Sequence, residues 1–240
     1  MTKLVKLSST SFFKPPACYG RYPYFPPSVS HEDGCLLCAA RGPCNRGEEL
    51  VEVFSWITKA IAQECYQEGV FKLPGGKAAD NYLDLWLLLT RWEFMREVAF
   101  TMQEMTRDLT YQAVGGCAMA AMPIADALMH VGDRDMHTFL VRKRAKGYGT
   151  DKIIEGRIKP GERALIVEDV ASTGMSMAHT VATARGYWLD VVGAITIVDR
   201  EEGAAELLEK QGITLRRLTT LSEVQEAWRQ KAEQPTMTCP

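Results

Sequence analysis

Apolar side chains recur along this chain with two periods, and the points where the period changes predict its elements. Over 48–67, Leu50, Val53, Phe54, Ile57, Ile61 and Cys65 fall on one helical face, and Gly69 follows as a stop. Two short strands are expected at 70–77 and 81–89, around a turn containing Gly75-Gly76. A second helix is expected over 91–106. From residue 110 the pattern alternates. Strands at 110–114, 137–141, 153–158, 164–167, 190–198 and 213–218 are separated by helices at 124–130, 177–187 and up to 211, and a last helix starts at 222. This alternation implies an α/β fold, a mainly parallel twisted sheet flanked by helices on both faces. Ligands of such sheets sit beyond the strand C-termini. No Gly-x-Gly-x-x-Gly follows a strand, so a dinucleotide fold is not supported.

Composition narrows this picture only slightly. The chain has 240 residues, 46% of them hydrophobic and 24% charged, with net charge -2. That is ordinary for a soluble globular protein. It supplies no global attraction to nucleic acid, so no nucleic-acid partner is expected. No apolar run reaches the ~18 residues that cross a bilayer, so no membrane partner is expected. The first residues are too short in apolar length for a secretory signal, and a cytoplasmic address is expected.

Residues 1–47 differ from the rest. Phe12-Phe-Lys-Pro-Pro16 and Tyr22-Pro-Tyr-Phe-Pro-Pro27 combine proline with aromatics, which gives irregular or extended chain. Cys35-Leu-Leu-Cys38 is half of a zinc-type knuckle, and Cys18 and Cys44, or His31, can complete tetrahedral coordination. No second paired motif accompanies it. The alternative is an extension with free thiols. The expected layout is a Pro/Cys-rich extension at 1–47, a domain at 48–233 and a frayed tail at 234–240.

The chemistry concentrates at 163–176. Ala164 to Val167 is a buried-strand run, followed at once by Glu168 and Asp169, then by Val170 and the small-residue loop Ala171, Ser172, Thr173, Gly174, Met175 and Ser176. Loop and helix-start N–H groups can surround a phosphate, and three hydroxyls can add to them. Gly174 lets the backbone approach closely or turn left-handed. Two carboxylates can accept hydrogen bonds from vicinal ribose hydroxyls and help hold Mg²⁺. An acid pair alone is commonly an exposed strand end; the ordered string is much more specific. Gly115 to Pro123 is a second small-residue loop between a strand and a helix, weak as an anion signal by itself. Arg142, Lys143, Arg144, Lys146 and Lys152 populate a glycine-containing loop. Such a run is ordinarily solvated, and it also suits a lid.

The ordered string resembles the phosphoribosyl-diphosphate (PRPP) signature of type I phosphoribosyltransferases. Further stretches in the same order resemble orotate phosphoribosyltransferases: Gly69-Val-Phe-Lys-Leu with Tyr82-Leu-Asp-Leu, residues 114–125, Phe139-Leu-Val-Arg-Lys-Arg-Ala-Lys-Gly-Tyr-Gly, Val198-Asp-Arg-Glu-Glu-Gly203 and residues 212–221. The resemblance covers about 66–225 and leaves 1–47 outside. It implies a type I phosphoribosyltransferase fold with a small N-terminal hood. It also implies Mg²⁺-dependent transfer of phosphoribosyl from PRPP to a base, with orotate favoured. Alternatives are another acceptor base, or a non-catalytic PRPP-sensing regulator.

By the same resemblance, Glu168 and Asp169 meet the ribose, and residues 171–176 hold the 5′-phosphate. Arg142, Lys143 and Lys146 bind diphosphate, with Lys146 over the reacting centre. Arg200, Tyr82 and Lys77 face the base. A homodimer that shares its lids is implied. The chain departs from the family at several positions. Pro74 stands where a base-contacting lysine is usual, Tyr148 where a lid histidine is common, and Ala120 and Ala121 where lysine and glycine are usual. These departures bear on the acceptor, not on the PRPP string.

Overall fold

The computed structural model describes residues 46–72, 78–117, 119–132, 135–143 and 152–233. The chain divides into two compact units, Met1–Glu52 and Val53–Pro240. The second unit contains every element discussed below apart from the first turns of α1. The candidate ligands Cys18, Cys35, Cys38 and Cys44, together with Lys77 and Lys146, lie outside the described residues.

Helix α1 spans Arg46–Glu64. Val53, Trp56, Ile57, Ala60 and Ile61 are buried along it at the anticipated spacing. Strands β1 (Tyr66–Lys72) and β2 (Ala78–Leu83) make an antiparallel hairpin, the hood. The strand expected at 81–89 is a misreading beyond Leu83, because helix α2 occupies Trp86–Leu89. Leu85, Leu88 and Leu89 are buried while Trp86 and Leu87 are exposed, which is helical spacing. A short, continuous apolar run does not distinguish the two states. Helix α3 spans Trp92–Met105 and buries Phe94, Met95, Val98, Ala99 and Met102.

The main sheet contains β3 (Ala113–Cys117), β4 (His137–Val141), β5 (Ile154–Gly156), β6 (Arg163–Ala171), β7 (Asp190–Asp199) and β8 (Leu215–Thr220). Its order is β5-β4-β3-β6-β7-β8. Every neighbouring pair is parallel except β4 with β5, so the sheet is mainly parallel with one antiparallel edge. Helices α4 (Ala121–Val131), α5 (Met175–Gly186), α6 (Ala204–Glu209) and α7 (Leu221–Glu233) complete the domain.

Strand β6 explains the two-sided core. Its residues Ala164 to Val167 are all buried, and successive side chains point to opposite faces. Ala164 and Ile166 join Met177, Val181 and Ala184 of α5 and Leu208 of α6. Leu165 points the other way, toward Gly193 and Leu109.

Two of the boundaries that differ from expectation lie in β3 and β6 and shape the ligand edge. Strand β3 includes Gly115 and Gly116, which were expected in the following loop. A Cβ on Gly115 would stand 2.3 Å from the Phe139 carbonyl oxygen, and one on Gly116 2.2 Å from that of Val167. Only glycine permits β3 to lie this close to both neighbours. Strand β6 does not stop at Val167. It stays paired with β7 through Glu168↔Thr196, Val170↔Val198 and Ala171↔Asp199. The β3–β6 ladder ends earlier, at Gly115↔Ile166.

The chain leaves β3 toward β4 on one side and leaves β6 toward β7 on the other. The gap between β3 and β6 is therefore the topological switch point, where ligands of doubly wound sheets bind.

Candidate active site

The acid pair stands on the β6 side of this gap. Glu168 is 7% exposed. Burial, foremost, and the adjacent Asp169 carboxylate, which also hydrogen bonds to it, push its carboxyl up to about 9. The Asp169 backbone N–H and the Lys143 ammonium act in the opposite direction. Glu168 therefore carries a proton near pH 7 in the ligand-free protein. Asp169 is half-buried, and its carbonyl accepts from Thr196 Oγ1 at 3.2 Å, which fixes the strand beneath the pair.

The small-residue loop follows directly. Ala171 is buried, Ser172 half-buried, and Thr173 and Ser176 exposed. Among the described residues the hydroxyls of Ser172, Thr173 and Ser176 have no partner. Helix α5 starts at Met175, two residues earlier than expected, and no side chain caps it. Its first N–H groups are thus directed at the loop without a partner from the protein's own side chains. Gly174 takes a φ of 77°, and a Cβ there would approach Ala204 Cα to 2.9 Å. Glycine is required for the turn and for the close approach together. Met175, the next residue, is 66% exposed at the rim.

The other predicted residues divide into those facing the gap and those tied elsewhere. Lys143 is exposed and close enough to Glu168 and Cys117 to stabilise their ionised forms. Arg142 is held away from a free posture: its Nε donates to Glu155 Oε1 at 3.0 Å and its N–H to the Ile153 carbonyl at 2.8 Å. Tyr82 sits in the hood, 42% exposed, with its ring stacked on Phe71 at 5.5 Å. Arg200 follows β7. Its N–H donates to the Ala171 carbonyl at 2.8 Å, joining the two loops, and its Nε donates to Glu202 Oε1 at 2.8 Å.

One residue at the gap carries no sequence signal. Cys117 ends β3, is 3% exposed, and hydrogen bonds with Thr180. Burial, then the Glu168 charge, push its thiol up, so it is an inert packing group and not a nucleophile. Its place facing Glu168 depends on the β3–β6 pairing, which no local motif encodes.

A doubly wound sheet that brings an acid pair and an uncapped small-residue loop to its switch point is the arrangement of a type I phosphoribosyltransferase. No family model matches the chain. The orotate phosphoribosyltransferase of Aquifex aeolicus is 41% identical over 176 residues, spanning 72% of this chain and 96% of that protein. That of Pyrococcus abyssi is 38% identical over 182 residues, 75% of this chain and 96% of its own. Mycobacterium tuberculosis orotate phosphoribosyltransferase, solved with PRPP, superposes with a TM-score of 0.62 at 30% identity, covering 72% of this chain and 99% of that one. The chain belongs to the orotate phosphoribosyltransferase family.

Proposed function

We infer that this protein transfers phosphoribosyl from PRPP to a ring nitrogen of orotate, giving orotidine 5′-monophosphate and diphosphate in pyrimidine biosynthesis. One observation supports the reading most: buried Glu168 and half-buried Asp169 lie just before an uncapped loop whose hydroxyls, among the described residues, have no partner.

In this reading the loop from Ala171 to Ser176 receives the 5′-phosphate through its free N–H and O–H groups. Asp169 and Glu168 hold the two ribose hydroxyls, which donate to their carboxyl oxygens. The bond from the anomeric carbon to diphosphate breaks with its electron pair on the departing oxygen. The base nitrogen forms the new C–N bond, and its proton passes to the departing diphosphate or to solvent. Lys143, Arg142 and, outside the described residues, Lys146 stabilise the leaving group as its charge grows. Arg200, Tyr82 and Lys77 hold the base.

Among the described residues no group of three or more His, Cys, Asp or Glu can hold a metal ion alone. Asp169, together with Glu168 once it gives up its proton, fits the other mode, in which one or two carboxylates share Mg²⁺ with substrate phosphates. When bound there, Mg²⁺ neutralises charge on the diphosphate. Zinc at Cys18, Cys35, Cys38 and Cys44 belongs to the same proposal, as do a homodimer with lids in trans and a cytoplasmic location. Among the described residues no helix is long and apolar enough to cross a membrane.

The test is consumption of orotate by purified protein with Mg²⁺ and PRPP, beside uracil and purine bases. Orotate-dependent release of diphosphate is expected. Turnover with another base alone would reassign the acceptor. No turnover with any base would end the catalytic reading.

A further inference from the structure

Arg200 is placed by a residue that faces neither PRPP nor base. Glu201, next in the chain, has a φ of 60°. In that region the Cβ of an L residue crowds the backbone, so few residues other than glycine adopt it. Glutamate lacks the short side chain with which asparagine or aspartate can offset the strain locally. Strain at such a position persists only where the surroundings impose it.

The surroundings do so from two sides. The Glu201 N–H donates to Asp199 Oδ1 at 2.8 Å. Asp199 is 3% exposed and is itself held, with Oδ2 3.5 Å from Arg217 Nη1. On the other side Glu201 Oε2 accepts from the Ser222 hydroxyl and from the Ser222 N–H, the latter at 3.2 Å. Helix α7 does not depend on Glu201 for its cap. Thr220 and Glu223 already form a reciprocal box, with the Thr220 N–H to Glu223 Oε2 at 2.8 Å and the Glu223 N–H to Thr220 Oγ1 at 3.2 Å.

The consequence falls on Arg200. Its own N–H is fixed to Ala171 in the phosphate loop, so the segment is held before and after it. With Glu201 turned left-handed, the Arg200 side chain is only 12% exposed, with its Nε on Glu202. A relaxed Glu201 would swing the following residue, Glu202, away from Arg200 Nε and release the guanidinium from the direction it now holds.

We propose that Glu201 is a positioning residue for the acceptor base: its carboxylate, tied to Ser222, imposes the left-handed turn that aims Arg200. The proposal rests on Arg200 facing the base. The binding of PRPP does not depend on this tie.

The experiment measures KM for orotate, KM for PRPP and kcat in Arg200→Ala, Glu201→Gly, Glu201→Gln and Ser222→Ala, together with thermal unfolding. Glycine accepts the turn without strain but lacks the tie; glutamine keeps an acceptor for Ser222. Glu201→Gly is expected to raise the KM for orotate about ten-fold, with KM for PRPP and kcat within about two-fold, as loss of a charge-assisted hydrogen bond that orients a binding group. Ser222→Ala shifts the same constant in the same direction by less, and Glu201→Gln restores most of the loss. A structural role alone would lower the unfolding temperature and leave the ratio of the two KM values unchanged; that outcome overturns the proposal. If Arg200→Ala raises the KM for orotate while Glu201→Gly does not, the proposal fails and the base-binding role of Arg200 stands. If Arg200→Ala leaves that KM unchanged, both fail.

Discussion

Strand β6 has two ends that treat charge in opposite ways. At its N-terminal end each charge meets a partner. Glu162 accepts the Lys159 N–H at 2.7 Å and lies 3.1 Å from His137 Nε2. Arg163 faces Asp190 at 3.6 Å, and its N–H donates to Gln112 Oε1 at 3.1 Å. At its C-terminal end a nearly buried Glu168 lies beside the Asp169 carboxylate, next to helix N–H groups that no side chain caps and hydroxyls that, among the described residues, have no partner. The first arrangement closes the sheet edge. The second leaves its hydroxyls and N–H groups open to water or a ligand, and only the Glu168 carboxyl is held in a buried place beside another carboxylate. Their difference identifies the functional edge without reference to any relative.

The largest effects are expected from removing that difference. Asp169→Asn combined with Glu168→Gln should lower kcat/KM by about 10²–10³-fold, the scale of losing preorganised groups at a reacting centre. Glu162→Gln, at the other end, should leave turnover within about two-fold. Steady-state rates with PRPP and orotate check both. Equal losses at the two ends would mean that the edges are not functionally distinct.

Glycines extend the comparison. Gly161 and Gly174 flank the two ends, with φ of 86° and 77°. A Cβ on Gly161 meets nothing within 4 Å, whereas one on Gly174 meets Ala204 at 2.9 Å. Gly161→Ala should cost only the left-handed strain, about 1 kcal/mol, and Gly174→Ala about 3 kcal/mol, because overpacking adds to it. Gly174→Ala should also raise the KM for PRPP. Denaturant unfolding of the two variants measures the gap, and similar costs would show that the phosphate loop shifts freely from Ala204.

These contrasts were only partly legible in the chain. The apolar run at Ala164–Val167, the acid pair and the loop from Ser172 to Ser176 are local features, and their order carries the PRPP reading. What lay hidden depends on pairing. Strand β6 continues through its acids because β7 stays hydrogen bonded to it as far as Ala171↔Asp199. Gly115 and Gly116, ordinary loop residues by composition, are strand residues because Phe139 and Val167 press against them. The antiparallel edge β5 and the left-handed Glu201 likewise follow from partners distant in sequence, Phe139 to Val141 in one case and Ser222 in the other.

Acid–base behaviour separates the ends as well. The Glu168 carboxyl is raised from 4.5 to about 9 in the folded protein. The native state therefore retains a proton that the unfolded chain releases above about pH 4.5. Stability of the ligand-free protein should fall as pH rises from about 5 toward 9, by at most about 1.4 kcal/mol per pH unit from this group. Glu168→Gln should flatten the slope of unfolding temperature against pH and be the more stable protein at pH 8–9. Parallel slopes in the two proteins would show that Glu168 ionises normally.

The smallest effect lies in the pair whose partners look best matched on paper. Arg163 and Asp190 are opposite charges 3.6 Å apart, but their side chains are 42% and 64% exposed. Water and salt screen such a pair, and ordering two mobile side chains offsets most of what remains. Asp190→Asn should therefore change stability by no more than about 0.5 kcal/mol, and less at high salt. Glu162→Ala should cost more, about 1–2 kcal/mol, because its carboxylate is 16% exposed and accepts a backbone donor that alanine would leave without it. Measuring both by urea unfolding at low and high salt ranks the contacts of this edge. A larger loss for Asp190→Asn would move the weight of the N-terminal end from buried hydrogen bonding to surface charge. Charge matching alone would then explain that end, and the contrast with Glu168 would lie in the sign of the neighbour and not in burial.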